Sequence, residues 1–193
     1  MRINPQVFQI GTSWGLDNHT KLYFLEGERK AIIDTGVDTS PEQDIAPYLS
    51  YYGYRLGDID LILNTHGHYD HVDGNPGMPQ AEVAIHEEDT FLLEDPEGAF
   101  DASRRLDLRL RSQSVIESER ARYVAGFKKL KVDRQLKDGD VVDLGKGIQL
   151  RVVHLPGHTK GSVGYLWEKE GMLFMGDSVA DQDVLAGLPA DQR

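Results

Sequence analysis

Cysteine is absent from this 193-residue chain. Disulfides and thiolate metal sites are therefore excluded, and any metal must be held by His, Asp or Glu. Basic residues are scarce relative to acidic ones: 21 Lys and Arg stand against 32 Asp and Glu, a formal net charge of −11. That balance argues against nucleic acid as a partner, since binding phosphates needs a basic face. No apolar run approaches the roughly 20 residues that a membrane span requires, so a membrane role is not expected. The opening Met1-Arg2-Ile3-Asn4-Pro5 lacks the apolar core of a secretory signal. Together with the missing cysteines, this leads to the expectation of a cytoplasmic protein. A hydrophobic content of 39% with 27% charged residues suits a globular domain, and the length suits one such domain rather than two.

The chemistry is concentrated in one stretch, Asn64-Thr65-His66-Gly67-His68-Tyr69-Asp70-His71. It follows Asp60 to Leu63, an apolar run too short for a helix and read as a buried strand. Three imidazoles and a carboxylate thus leave the carboxyl end of a strand, where α/β folds place their ligands. Neutral imidazoles suit zinc, iron or manganese, and the carboxylate adds a hard oxygen donor.

Around this stretch the pattern is strand-rich. Val7 to Ile10, Lys21 to Leu25 and Arg29 to Ile33 read as strands, with Glu26-Gly27-Glu28 as a turn. Asp34-Thr35-Gly36 ends the third at a bend. Ser40-Pro41-Glu42-Gln43 predicts a capped helix start, with serine as N-cap and proline at the first position, running to about Tyr52 and stopping at Gly53. Val83 to His86 is a further strand, and the acids Glu87-Glu88-Asp89 after it suit a helix N-terminus better than another metal site. From about Thr90 to Gln135 the rhythm breaks into a helical insert, which either caps a pocket or serves as an assembly arm. Phe91, Phe100, Tyr123 and Phe127 are candidates to line that pocket or simply to pack. Strands resume at Val141 to Leu144 and Ile148 to Leu155, then Gly164 to Trp167 and Met172 to Met175. His19 reads either as a pocket-mouth residue or as an exposed loop histidine.

The His-x-His-x-Asp-His pattern resembles the signature of the metallo-β-lactamase superfamily. Asp34-Thr35-Gly36, Gly157-His158-Thr159 and Gly176-Asp177-Ser178 fall in that family's order, so the likeness extends from about Asn18 to Ser178. The resemblance implies an αββα sandwich and two divalent metal ions, zinc or alternatively iron or manganese. It assigns His66, His68 and His158 to one ion and Asp70 and His71 to a second, with Asp177 bridging both and Asp34 orienting the loop. His154 is then a core or supporting residue. The implied activity is that of a metallo-hydrolase using metal-bound hydroxide, with Asp70, His66, His68 and His71 at the reacting centre. On this reading no serine nucleophile is needed.

One departure stands out. Dinuclear members supply a further histidine after Asp177, and here the last histidine is His158. The tail from Val179 is also short for the family's closing elements. The expectation is therefore a C-terminal half that is incomplete, a weaker second metal and a homo-oligomer, unless Asp181 or Asp183 replaces the histidine. The 87 positions between His71 and His158 resemble quinolone-signal response thioesterases and lactonases more than compact hydroxyacylglutathione hydrolases. A small-molecule ester, thioester or lactone is the expected substrate. The alternatives are a β-lactam, a phosphodiester, or a binding protein in which catalysis has lapsed.

Overall fold

Strands apolar at every position must be covered on both faces, and the central strands of this chain show it. The computed structural model describes residues 1–14, 18–103 and 113–178. Its larger sheet has seven strands in sequential order: β1 (Arg2–Asn4), β2 (Val7–Trp14), β3 (Asn18–Glu26), β4 (Lys30–Ile33), β5 (Leu61–Leu63), β6 (Glu82–His86) and β7 (Arg134–Leu136). The first four are antiparallel, while β4 to β7 run parallel. The second sheet is antiparallel, ordered β11 (Met172–Phe174), β10 (Val163–Trp167), β9 (Ile148–His154) and β8 (Val141–Gly145).

Alternation along the strands sorts the core. Ala31, Ile33, Leu61, Leu63 and Ala84 face the second sheet, where Val152, Tyr165 and Trp167 meet them. Ile32, Ile62 and Val83 point the other way, onto Ile45 and Leu49. Those two belong to a helical segment that begins as a π-helical turn, Pro41–Ile45, and continues as α1 (Ala46–Tyr51). It ends before Gly53 as expected, but the expected cap does not form. Ser40 sits in helical backbone geometry (φ −59°, ψ −36°) and makes no capping hydrogen bond, whereas an N-cap side chain needs an extended backbone to reach back to the helix amides.

The insert comprises α3 (Thr90–Glu94), α4 (Pro96–Ser103) and α5 (Gln113–Gly126), after a short α2 (Tyr69–Val72) in the metal loop. The helical character expected of the insert is carried by these three helices; residues 104–112 lie outside the described residues. Leu92, Leu93 and Ala99 of the insert pack with Val72 and Ile85, and Tyr123 and Phe127 lean on that cluster. The insert therefore covers the metal-loop side of the larger sheet. Two short edge strands, β1 and β7, escaped the sequence reading, and β7 begins within the span assigned to the insert. Among the described residues, no helix is long and apolar enough to cross a membrane.

The two sheets are also joined by polar bonds at the end that carries the site. The Val163 N–H donates to the Thr65 carbonyl (2.9 Å), and the buried Tyr165 hydroxyl donates to the Asn64 carbonyl (2.7 Å). Tyr165→Phe removes one donor and strands a buried acceptor, which costs about 1–3 kcal/mol. Urea unfolding is expected to report that loss; an unchanged midpoint would show that the bond contributes nothing net.

Candidate metal centre

Asn64 and Thr65 follow strand β5, and both are tied down before the histidines begin. Asp34, at the end of the neighbouring β4, accepts the Thr65 N–H at Oδ1 (2.8 Å) and the Thr65 hydroxyl at Oδ2 (2.7 Å). Its backbone is left-handed, φ 58°, a region that aspartate tolerates better than most residues. The Thr65 hydroxyl has one proton and gives it to Asp34. Its lone pair is then left to accept the Nδ1–H of His66 (3.1 Å). That fixes the His66 tautomer and leaves Nε2 as a bare lone pair, buried and without a hydrogen-bond partner.

Asp34 acts a second time on His71, whose Nδ1 lies 2.8 Å from its Oδ2. The His71 carbonyl accepts from the Thr35 N–H and from the Asn64 side chain, and Asn64 and Asn75 bond each other. This buried polar brace holds the turn of α2 against the bend at Asp34-Thr35. A second loop, after β9, brings His158 to the first. Its Nε2 lies 2.8 Å from Nδ1 of His68, with the two rings edge to face at 82°. Asp177, in a 3-10 turn after β11, reaches both sides: Oδ1 is 3.4 Å from His71 Nε2 and Oδ2 is 3.6 Å from His158 Nε2.

Two donor groups result, each with its ligand atoms within 4.8 Å of one another: His66, His68 and His158, and His66, His71 and Asp177. Asp70 is in neither group but lies beside the second, its Oδ2 3.7 Å from His71 Nε2. All six sequence-nominated residues thus surround one space, with Asp177 between the groups as a bridging residue would be. His19 lies apart on an exposed stretch of β3, bonded to Ser13 (3.1 Å). Asp181 and Asp183 fall outside the described residues. The acids after β6 do open a helical turn, Glu87–Asp89, with His86 as its N-cap; His86 is also buried and stacks on His154 with ring centroids 4.2 Å apart.

The profile of the family described as the metallo-beta-lactamase superfamily matches residues 18–189. This chain belongs to that superfamily. It is 29% identical over 180 residues to the acyl-coenzyme A thioesterase MBLAC2 of Gallus gallus, covering 89% of this chain and 62% of that protein. It is 30% identical over 163 residues to a hydroxyacylglutathione hydrolase of Gloeobacter violaceus, covering 84% and 49%. Among solved structures, a metallo-beta-lactamase family protein of Thermus thermophilus superposes with a TM-score of 0.70 at 26% identity, covering 89% of this chain and 58% of that one. The subclass B3 metallo-beta-lactamase BJP-1 of Bradyrhizobium japonicum gives 0.57 at 28%, covering 76% and 49%. The chain spans about half to three-fifths of the length of the curated relatives it matches.

The electrostatics of this metallo-β-lactamase-type site differ from one side chain to the next. Burial, with neighbouring imidazoles, drives the His66 pKa far below its usual value and that of His68 down to about 4. Both are neutral ligands at neutral pH. Burial also raises the Asp70 carboxyl, whereas the contact with His71 holds Asp177 low. Burial pushes His71 down, yet Asp34 and Asp177 outweigh it and bring its pKa to about 10.

In the metal-free protein the folded pKa of His71 therefore exceeds its ordinary 6.5. The stability it confers is complete below about pH 6.5 and fades as the pH rises toward about 10. Asp34→Asn keeps a residue that tolerates the left-handed backbone but removes the charge. Its destabilisation of metal-free protein should be larger at pH 6 than at pH 10 in urea unfolding; a pH-independent loss would break the argued link between Asp34 and His71.

Proposed function

We propose that this chain is a metal-dependent hydrolase of acyl esters and thioesters, with lactones as close variants. The observation that carries the reading is the orphaned, buried Nε2 of His66 facing His68 and His158. A buried lone pair without a partner is costly, and a cation shared by three imidazoles would satisfy it. The donor set fits zinc through His66 Nε2, His68 Nδ1 and His158 Nε2. His71, Asp70 and Asp177, with more oxygen, would hold a second ion, zinc, iron or manganese. A divalent cation bound there polarises a carbonyl and lowers the pKa of water.

The remaining steps fall to the chain itself. Asp70 Oδ2 is positioned beside His71 Nε2, and its raised pKa makes it the better proton acceptor for an attacking water. His71, locked by Asp34, keeps Asp177 in place. A cleft of about 470 Å3 opens next to the metal loop, lined by Gly67, Tyr69, Val72, Leu92, Tyr123 and Phe127. Its apolar wall suits an acyl chain, and Arg122 and Lys128 on the same cleft suit an anionic carrier. The substrates named for two relatives, acyl-coenzyme A and hydroxyacylglutathione, are both acyl groups on thiols, which favours thioesters. The likeness to BJP-1 makes a β-lactam the second class to assay.

The test is a panel of acyl thioesters, aryl esters, lactones and a chromogenic β-lactam. Zinc-loaded protein is expected to cleave thioesters, and chelation to abolish cleavage. Asp70→Asn should lower kcat by about 100-fold while leaving the melting temperature within a few degrees. Absence of turnover on every class with metal bound would refute the reading.

A further inference from the structure

Asp89 is fully buried, yet it belongs to none of the metal-facing groups. Both carboxylate oxygens are spent on loops that carry the imidazoles. Oδ2 accepts the Gly67 N–H (3.0 Å), between His66 and His68, and the Thr159 hydroxyl (2.6 Å), next to His158. Oδ1 accepts the Gly161 N–H (2.8 Å). The approach is close: a Cβ on Gly161 would lie 2.6 Å from the Asp89 nitrogen, so only glycine fits there.

The neighbouring His86, Glu88 and His154 form a third group with ligand atoms within 4.8 Å of one another, but one nitrogen of each ring is already engaged within the protein. The His86 and His154 rings are stacked at 16°, so their in-plane lone pairs run side by side instead of converging. His86 Nδ1 accepts the Glu88 N–H (3.3 Å), and His154 Nε2 donates to the Lys160 carbonyl (2.8 Å). The stacked rings, with His154 Nε2 3.4 Å from Glu88 Oε2, join the same two segments that Asp89 joins. From His86 to Asp89 the chain forms a clasp over the loop from His154 to Gly161.

We propose that Asp89 is a positioning residue that locks the His66–His68 loop to the His158 loop and thereby sets the affinity of the three-histidine site. This rests on the reading above that those histidines hold a metal. The two loops come from different sheets, and His68 and His158 meet only if both are held in register. An asparagine at 89 retains one acceptor oxygen, and its amide must face an N–H or O–H donor on the other side.

The test is zinc affinity of the purified protein, by competition with a chromophoric chelator, alongside thermal melting. Asp89→Asn should weaken zinc binding by about 10- to 100-fold. Thr159→Val, which deletes a single hydroxyl, should weaken it by less, and Thr159→Ser should restore it. A merely structural role would lower melting temperatures and leave native-state affinity unmoved, so unchanged affinity in a folded Asp89→Asn overturns the proposal. Should that variant not fold, Thr159→Val decides: weakened affinity rescued by serine supports it, and unchanged affinity overturns it. Wild-type protein that takes up no zinc would bring down the reading of the site itself, and this inference with it.

Discussion

A single carboxylate, Asp34, orients two neighbouring imidazoles of the site, with ring centroids 4.1 Å apart. It receives the His71 Nδ1–H directly, and it reaches His66 through the one proton of the Thr65 hydroxyl. Both rings are thereby held with Nε2 turned toward the shared space. Buried polar groups of this kind are stable only when fully satisfied, and the lone pair left over on His66 is the one that a cation completes. Outer partners that fix tautomer and ring direction are what give a metal site its affinity.

The fold exists to put this carboxylate at the right height. β4 and β5 are parallel neighbours in register, Ile33 opposite Leu63, so the residues just beyond them, Asp34 and Thr65, come out on the same rim. Apolar residues on both faces of β4 and β5 make that rim rigid. The second sheet delivers His158 and Asp177 from its own strand ends, and its Tyr165 and Val163 bond back to the metal loop. The site is thus assembled where the two sheets are stitched together, with the insert covering its flank.

Much of this was legible in the sequence because it is local. The His66-to-His71 pattern follows a three-residue apolar strand, and the alternation of Ile32 with Ala31 and Ile33 declares a strand buried on both faces. Other features depend on partners far along the chain. The signal at Ser40-Pro41 located the helix start, with Pro41 at its first position, but not the cap, because Ser40 itself sits in helical geometry. β7 is three residues long and two of them are polar, so only its pairing with β6 reveals it. Asp89 looked like an acid at a helix start, and two of its three partners are backbone amides 22 and 72 positions away. Backbone amides leave no signature in a sequence, so no pattern of residue types could have found it.

The central claim is that two loops from different sheets present three imidazoles to one ion. X-ray absorption at the zinc edge of protein loaded with one equivalent measures this directly. The account predicts a nitrogen-rich shell at about 2.0–2.1 Å with the multiple-scattering pattern of three imidazoles, falling to two in His158→Ala. A shell of oxygen ligands alone, or a spectrum that His158→Ala leaves unaltered, would contradict it.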